Sequence, residues 1–325
     1  MSKSWLRDYI IKRLIFAFIT AFAIVTITFI LLRVGPSSPA DRYLANITAR
    51  GQDVEQITAA IEARYGLDKP IWEQYFTYLG SLLRGDWGWS FSTSMPVVEL
   101  IERHWIYSFQ LILLSTLVTT ILGILIGIYS AVKQYSKFDY IATFLSFIGI
   151  SIPSFWLGVM LILIFAVQLG WFKTYYDTTL PIFSLGNLKG LILPCITLGT
   201  GMVAGYMRYT RSAMLDNLHR GFVTTARSKG LPERTVIGKH VLRNAILPLF
   251  TIIMFDLGSI VFGGAYLTEI IFGIPGLGQI SFKAIFASDY PVVIAITLIG
   301  TFLTLFINLI TDVAYTYLDP RIRYD

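Results

Sequence analysis

Six apolar runs, each long enough to cross a lipid bilayer as a helix, limit what this 325-residue chain can fold into. They are Ile10–Leu32, Tyr107–Val132, Ile141–Leu169, Leu191–Tyr209, Ile246–Leu267 and Val292–Tyr315. A hydrocarbon core about 30 Å thick takes roughly 20 helical residues per crossing. No water is available there for exposed backbone groups, so each run must be a helix, and the alternation of an outer-membrane strand is absent. The expected fold class is an all-α polytopic membrane protein with six transmembrane helices.

With 55% apolar and 14% charged residues, the chain has room for these spans and one sizeable extramembrane segment, and none for a separate nucleotide-binding domain. The single cysteine, Cys195, cannot form an internal disulfide and reads as packing. A net charge of +6 does not point to nucleic acid, because the basic residues lie between apolar runs. The start, Lys3 to Arg13 before an apolar run, resembles a signal peptide. That run is too long and lacks a small-residue cleavage site, so a retained first span is expected.

The basic residues fix an orientation, since Lys and Arg are retained on the cytoplasmic side. Lys3 to Arg13, Lys133 and Lys137, the cluster from Arg208 to Arg243, and Arg321 and Arg323 fall on one face of the membrane. Both termini are therefore expected in the cytoplasm. The division expected is residues 1–33 as cytoplasmic N-terminus and first span, 34–105 as an extracytoplasmic segment, and 106–325 as a five-helix core with a cytoplasmic loop at 212–245.

The external segment carries helical periodicity at Asp53–Tyr65 and Ile71–Leu83. Gly85-Asp86-Trp87-Gly88-Trp89-Ser90 then places glycines and aromatic rings at a turn near the membrane interface, where an interfacial belt is the simplest reading. Gly123 with Gly127, and Gly201 with Gly205, have the spacing that lets helix backbones approach closely.

The cytoplasmic stretch Asp216–Pro248 is the most informative. It predicts a short helix through Thr224, Thr225, Ala226, Arg227, Ser228 and Lys229, ended by Gly230 with Pro232 just beyond, then a second helix leading into the fifth span. Small side chains at Thr225 and Ala226 allow a partner to approach the backbone. Docking into a protein groove and resting on anionic head groups both fit this pattern.

Here the sequence resembles the permease subunits of ATP-binding-cassette importers, whose cytoplasmic signature is a small-residue helix, a glycine and a following Leu-Pro. The general form begins Glu-Ala-Ala, whereas this chain has Thr224-Thr225-Ala226 and a longer interval from Gly230 to Leu247-Pro248. Those departures resemble the dipeptide/oligopeptide branch, through Thr225-Ala226-Arg227-Ser228-Lys229-Gly230-Leu231 and Arg243-Asn244-Ala245-Ile246-Leu247-Pro248.

Further stretches resemble the first-permease type of that branch in chain order: Gly66-Leu67-Asp68-Lys69-Pro70, Gly85 to Ser90, Pro153-Ser154-Phe155-Trp156, Glu269 to Gly278, Asp289-Tyr290-Pro291 and Leu318-Asp319-Pro320-Arg321. The resemblance implies a non-catalytic subunit working with a second homologous permease, two ATPases and an extracytoplasmic binding protein. Thr224 to Gly230 would form the coupling helix that meets an ATPase. ATP and Mg would be bound by the ATPases, and no phosphate-cradling Gly-x-x-x-x-Gly-Lys-Ser/Thr loop occurs in this chain. Peptides are the cargo implied; oligosaccharides and nickel complexes are the alternatives within the same machinery.

Asp256 lies mid-span, where a charge costs about 3 kcal/mol unless it is paired or wetted. It reads either as lining a translocation path or as a structural partner to a neighbouring polar group. Asn308 and Asp312 share a helix face and read as interhelical hydrogen-bonding groups, as does Gln110. Arg208 and Arg211 read as interfacial, snorkelling side chains.

Two rival classes find little support. An intramembrane enzyme needs a nucleophile with a base or a metal site, and His104, His219 and His240 are scattered with no His-Glu-x-x-His or Gly-x-Ser-x-Gly. A secondary transporter needs internal repeats and paired intramembrane charges, and neither is evident.

Overall fold

The computed structural model describes residues 3–34, 69–259 and 265–318. These residues are almost wholly helical; their strand-like pairing is one antiparallel bridge between Trp89 and Pro96. The chain divides into two compact units, one of residues 1–105 with 280–302, the other of residues 106–279 with 303–325.

In the first unit, α1 (Lys3–Val34) is apolar around its whole circumference, and little of its spanning stretch is covered by protein. Among its contacts are those with α2 (Ile71–Leu83), a helix with the predicted bounds. The Thr26 hydroxyl lies 2.6 Å from the Tyr75 hydroxyl, and the Phe29 ring centroid is 5.2 Å from that of Tyr75 and 5.5 Å from that of Tyr78. Helix α2 starts after Pro70 and stops at Arg84, where Gly85 takes a left-handed φ of 79° that a side chain would resist. The helix predicted at Asp53–Tyr65 lies outside the described residues.

The second unit begins within α3 (Val97–Val132). It continues through α4 (Lys137–Ser151), α5 (Ser154–Leu161), a wide-turn π segment Ile162–Gln168, α6 (Leu185–Gly190) and α7 (Ile192–Leu218). Then follow α8 (Gly221–Ser228), the single turn α9 (Glu233–Thr235), a second π segment Val236–Val241, α10 (Leu242–Ser259) and α11 (Tyr266–Phe272). Two last helices, α12 (Leu277–Phe286) and α13 (Tyr290–Leu318), have residues in both units.

Among the described residues, three helices are long and apolar enough to cross a membrane: α1, α3 and α13. The pairs α4 with α5 and its π segment, and α11 with α12, bend by 99° and 93°, and counting each as one span gives five. The third apolar run is therefore not the single helix expected. Pro153 lacks an N–H and forces Ile152 out of the helical region, to ψ 123°, which breaks the run there.

Helix α7 is the hub of the second unit and packs against α4, α5, α10 and α11. It approaches α3 closely at the first predicted small-residue motif. A Cβ on Gly123 would lie 2.5 Å from Cβ of Tyr206, and one on Gly127 would lie 2.7 Å from the Met207 carbonyl oxygen. Only glycine permits that approach. The second motif behaves differently, for a Cβ on Gly205 would meet nothing within 4 Å.

Candidate functional site

A short helix, α8, forms where the sequence predicts one, and its ends follow from its residues. Arg220 precedes it in extended conformation, and Lys229 closes it. Gly230 then adopts a φ of 73°; its N–H donates to the Arg227 carbonyl at 2.9 Å, and the Leu231 N–H reaches the Ala226 carbonyl at 3.4 Å. This is the Schellman pattern, which satisfies the carbonyls a helix end leaves unpaired. Pro232 follows, where it cannot prolong the helix.

Two side chains of α8 are buried, Val223 and Ala226, in a cluster with Ala131, Met214, Val236, Val241 and Ala245. Ala226 therefore faces the protein, and its small side chain serves internal packing. Thr224, Thr225, Arg227, Ser228, Lys229 and Gly230 are exposed. The Thr225 and Ser228 hydroxyls donate to the carbonyls of Gly221 and Thr224, each at 3.0 Å, so their methyl and methylene edges contribute to the outer face.

Arg227 grips Glu233 across the turn, with Nη2 2.6 Å from Oε1 and Nε 3.3 Å from Oε2. The guanidinium holds the Glu233 carboxyl below its ordinary range, and the carboxylate raises that of Arg227 in turn.

Arg208 and Arg211 differ in role. Arg208 lies 4.9 Å over the Phe147 ring, compatible with the snorkelling expected of it. Arg211 does not merely mark an interface: Nε and Nη2 donate to Asp139 Oδ1 and Oδ2 at 2.6 and 2.8 Å. The same carboxylate accepts from the Ser130 hydroxyl and from the Tyr135 N–H at 3.0 Å, and the Ser136 hydroxyl caps α4 by accepting from the Asp139 N–H.

Asp256 accepts a 2.8 Å hydrogen bond from the hydroxyl of Tyr206, which is almost wholly buried on α7, and is itself partly exposed. Gln110, read as an interhelical hydrogen-bonding group, is fully buried. Its amide donates to the Ile182 carbonyl at 2.5 Å and accepts from the Tyr176 hydroxyl at 3.1 Å, fastening the loop before α6. Asn308 is exposed, and the Asp312 side chain lies outside the described residues. Cys195 lines an apolar groove of about 760 Å³ between α3, α4 and α7, in keeping with a packing role.

Beyond Asp139, two buried acids escaped sequence reasoning, although both lie in the quoted motifs. Glu269 accepts from the Ser108 hydroxyl at 2.5 Å and from the Gln279 N–H at 2.9 Å, while the Leu277 N–H donates to Ser108 at 2.7 Å. A Cβ on Gly276 would lie 2.5 Å from the Glu269 carboxyl carbon, and one on Gly278 would lie 2.9 Å from Oε2, so both glycines let the backbone wrap the carboxylate. In the first unit, Asp289 likewise collects the Ser90 and Ser92 hydroxyls and the N–H groups of Phe91 and Ser92, at 2.5 to 3.0 Å. Nothing in the composition of either motif reveals which distant segment its acid binds.

These features define a helical, multi-pass membrane protein with a short helix, α8, that leaves one face exposed. Residues 123–324 match the family described as "Binding-protein-dependent transport system inner membrane component", and residues 6–111 match its N-terminal counterpart. The chain belongs to that family, as a non-catalytic inner-membrane component.

Similar chains include the oligopeptide transport system permease protein AppB of Bacillus subtilis, 40% identical, with 97% of this chain and 99% of the relative covered. The dipeptide permease DppB of Alkalihalophilus pseudofirmus and the oligopeptide permease OppB of Haemophilus influenzae are each 36% identical over the same shares. Among solved structures, a chain of the MetNI methionine ABC transporter in an inward-facing conformation aligns with a TM-score of 0.48 at 19% identity, over 68% of this chain and 97% of that one.

Proposed function

We propose that this chain forms part of the translocation pathway for di- or oligopeptides in an ATP-driven importer. The names of its relatives, at 36 to 40% identity over nearly the whole chain, support the cargo class. The observation that carries the coupling role is α8: two inward residues fix it to the protein, and Thr224, Thr225, Arg227, Ser228, Lys229 and Gly230 stay exposed. In this reading those residues seat in a cleft of an ATPase subunit, with Ala226 setting the depth of the helix on its own support.

The reading includes six spans, with α1, α3, the bent pair α4 and α5, α7, α10 and α13 as the crossings. It keeps residues 1–33, 34–105 and 106–325 as the parts, with both termini and the loop 212–245 in the cytoplasm. A second homologous permease completes the pathway, two ATPases bind ATP and Mg, and an external binding protein delivers substrate. Asp256 is the candidate pathway residue, poised by Tyr206, where its carboxylate can meet a cationic group of the cargo.

The test is reconstitution of the complete transporter in proteoliposomes with ATP inside. Uptake of labelled di- to pentapeptides, unaffected by excess oligosaccharide or nickel complex, is expected. Uptake of either of those, with no peptide uptake, overturns the cargo; uptake that persists without ATP overturns the importer class.

A further inference from the structure

We infer that Asp139 and Arg211 form the mount that transmits movement of α8 to the membrane helices, and that both are positioning residues for transport that never touch ATPase or cargo. This rests on the reading of α8 as the coupling helix.

A short helix on a loop can transmit force only if its base is joined rigidly to the elements that must move. The base of α8 is the cluster holding Val223 and Ala226, to which α3 contributes Ala131 and α7 contributes Met214. Each of these follows a residue of the polar network: Ala131 adjoins Ser130, and Met214 lies one helical turn beyond Arg211.

Above the apolar base, the Asp139 carboxylate therefore ties together the last turn of α3 through Ser130, the connecting turn through the Tyr135 N–H, and α7 through both prongs of Arg211. Its own helix, α4, is capped at the same point by Ser136. The turn is further constrained because Tyr135 holds a φ of 64°, which a non-glycine residue resists.

The side chain of Asp139 is 3% exposed and that of Arg211 is 25% exposed. A fork in that setting has one geometry, unlike a point charge on a flexible stem. Apolar contacts in the cluster can slide, whereas four directed hydrogen bonds to one carboxylate cannot shift without breaking. The network accordingly makes α3, α4 and α7 respond to α8 as one body. The pairs Arg103–Glu99, Lys173–Asp177 and Arg227–Glu233, by contrast, each join residues four to six positions apart.

The experiment uses the complete transporter in proteoliposomes, with Arg211→Lys, Asp139→Asn, the exchange Asp139→Arg with Arg211→Asp, and Ser130→Ala. Each is made with and without Thr224→Cys, which reports contact of α8 with the ATPase by disulfide cross-linking to a cysteine placed in that subunit. The readouts are assembly, the cross-link, ATP hydrolysis stimulated by the binding protein, and uptake of a labelled tripeptide.

For Arg211→Lys we expect assembly and the cross-link to survive, hydrolysis to continue, and tripeptide taken up per ATP to fall on the order of tenfold, a size typical of coupling between sites. The exchange variant is expected to recover part of that ratio. Uptake per ATP unchanged in Arg211→Lys and Asp139→Asn, with the cross-link present, overturns the mount while leaving the coupling helix intact. Absence of the cross-link in otherwise unaltered protein overturns the coupling helix itself. If the charge variants do not assemble, Ser130→Ala decides: a lowered ratio supports the mount, and a normal one overturns it.

Discussion

The Ser90 hydroxyl donates to the Asp289 carboxylate at 2.5 Å across 199 positions of sequence, joining two motifs that are unremarkable when read separately. Around this contact, the chain from Gly88 to Val97 closes on itself: the Val97 N–H donates to the Gly88 carbonyl at 3.0 Å, and the Ser90 N–H to the Met95 carbonyl at 2.9 Å. The aromatic motif thus shapes a loop held by an acid, in addition to placing Trp89 at the surface.

Asp289→Ala is expected to release that loop. It leaves two hydroxyls and two backbone N–H groups without their acceptor, and a hydrogen bond to a charged group contributes about 1.5–3 kcal/mol. Because serines can turn to water, the expected loss is about 3 kcal/mol. Limited proteolysis in mild detergent checks this: cleavage between Gly85 and Val97 should quicken strongly. An unchanged digestion pattern would show that the loop is held by other contacts.

Much of the fold was legible because it follows from local rules. The apolar runs, the helix Ile71–Leu83 and the stop at Gly230 all depend on residues next to one another. What depended on distant partners was not legible. Arg211 near a membrane boundary looks like any snorkelling arginine until Asp139 is placed beside it. The bend at Pro153 was hidden by hydrophobicity, since the run on either side is equally apolar. Ala226 was correctly assigned to a helix, yet its face depended on Met214 and Val236, which sequence periodicity over so short a helix does not resolve.

The two glycine motifs should respond oppositely to the same change. Gly127→Ala drives a Cβ to 2.7 Å from a backbone oxygen of α7, which cannot rotate away, and overpacking of this kind costs about 1–3 kcal/mol. Gly205→Ala enters open space within a helix, where alanine is favoured by about 0.5–1 kcal/mol. Thermal unfolding in detergent should show a lowered midpoint for the first and an unchanged or raised one for the second. Equal effects would contradict the close crossing of α3 and α7.

The turn after α8 should loosen in acid. The folded-state pKa of Glu233 is depressed by Arg227, so the pair's contribution is fully present above the ordinary glutamate value and is lost as pH falls through the lower, folded one. Hydrogen exchange at Leu231 to Val236 should therefore be insensitive to pH, after correction for intrinsic rates, from neutrality to about 4.5 and rise below it. Glu233→Gln should remove that step. Both groups are exposed, so the effect is local and weakened by salt.

Gly230 separates two explanations for a glycine beside a docking helix. If glycine is required because a side chain would collide with the chain's own atoms, larger substitutes should be worse. Yet a Cβ there would meet nothing within 4 Å, while φ is 73°. The cost is therefore conformational, about 1–2 kcal/mol for an ordinary residue and less for asparagine, which tolerates this region. Gly230→Ala and Gly230→Phe should destabilise the isolated chain by similar amounts, with Gly230→Asn nearer to the unaltered protein and membrane insertion normal in all three. In the proposed coupling role, uptake by the assembled transporter should add a second dependence on size, with phenylalanine abolishing transport and alanine only reducing it, because a ring at this exposed position would meet the ATPase. If alanine and phenylalanine reduce uptake equally, Gly230 serves only to end α8, and the contact with the ATPase lies further along the helix towards Thr224.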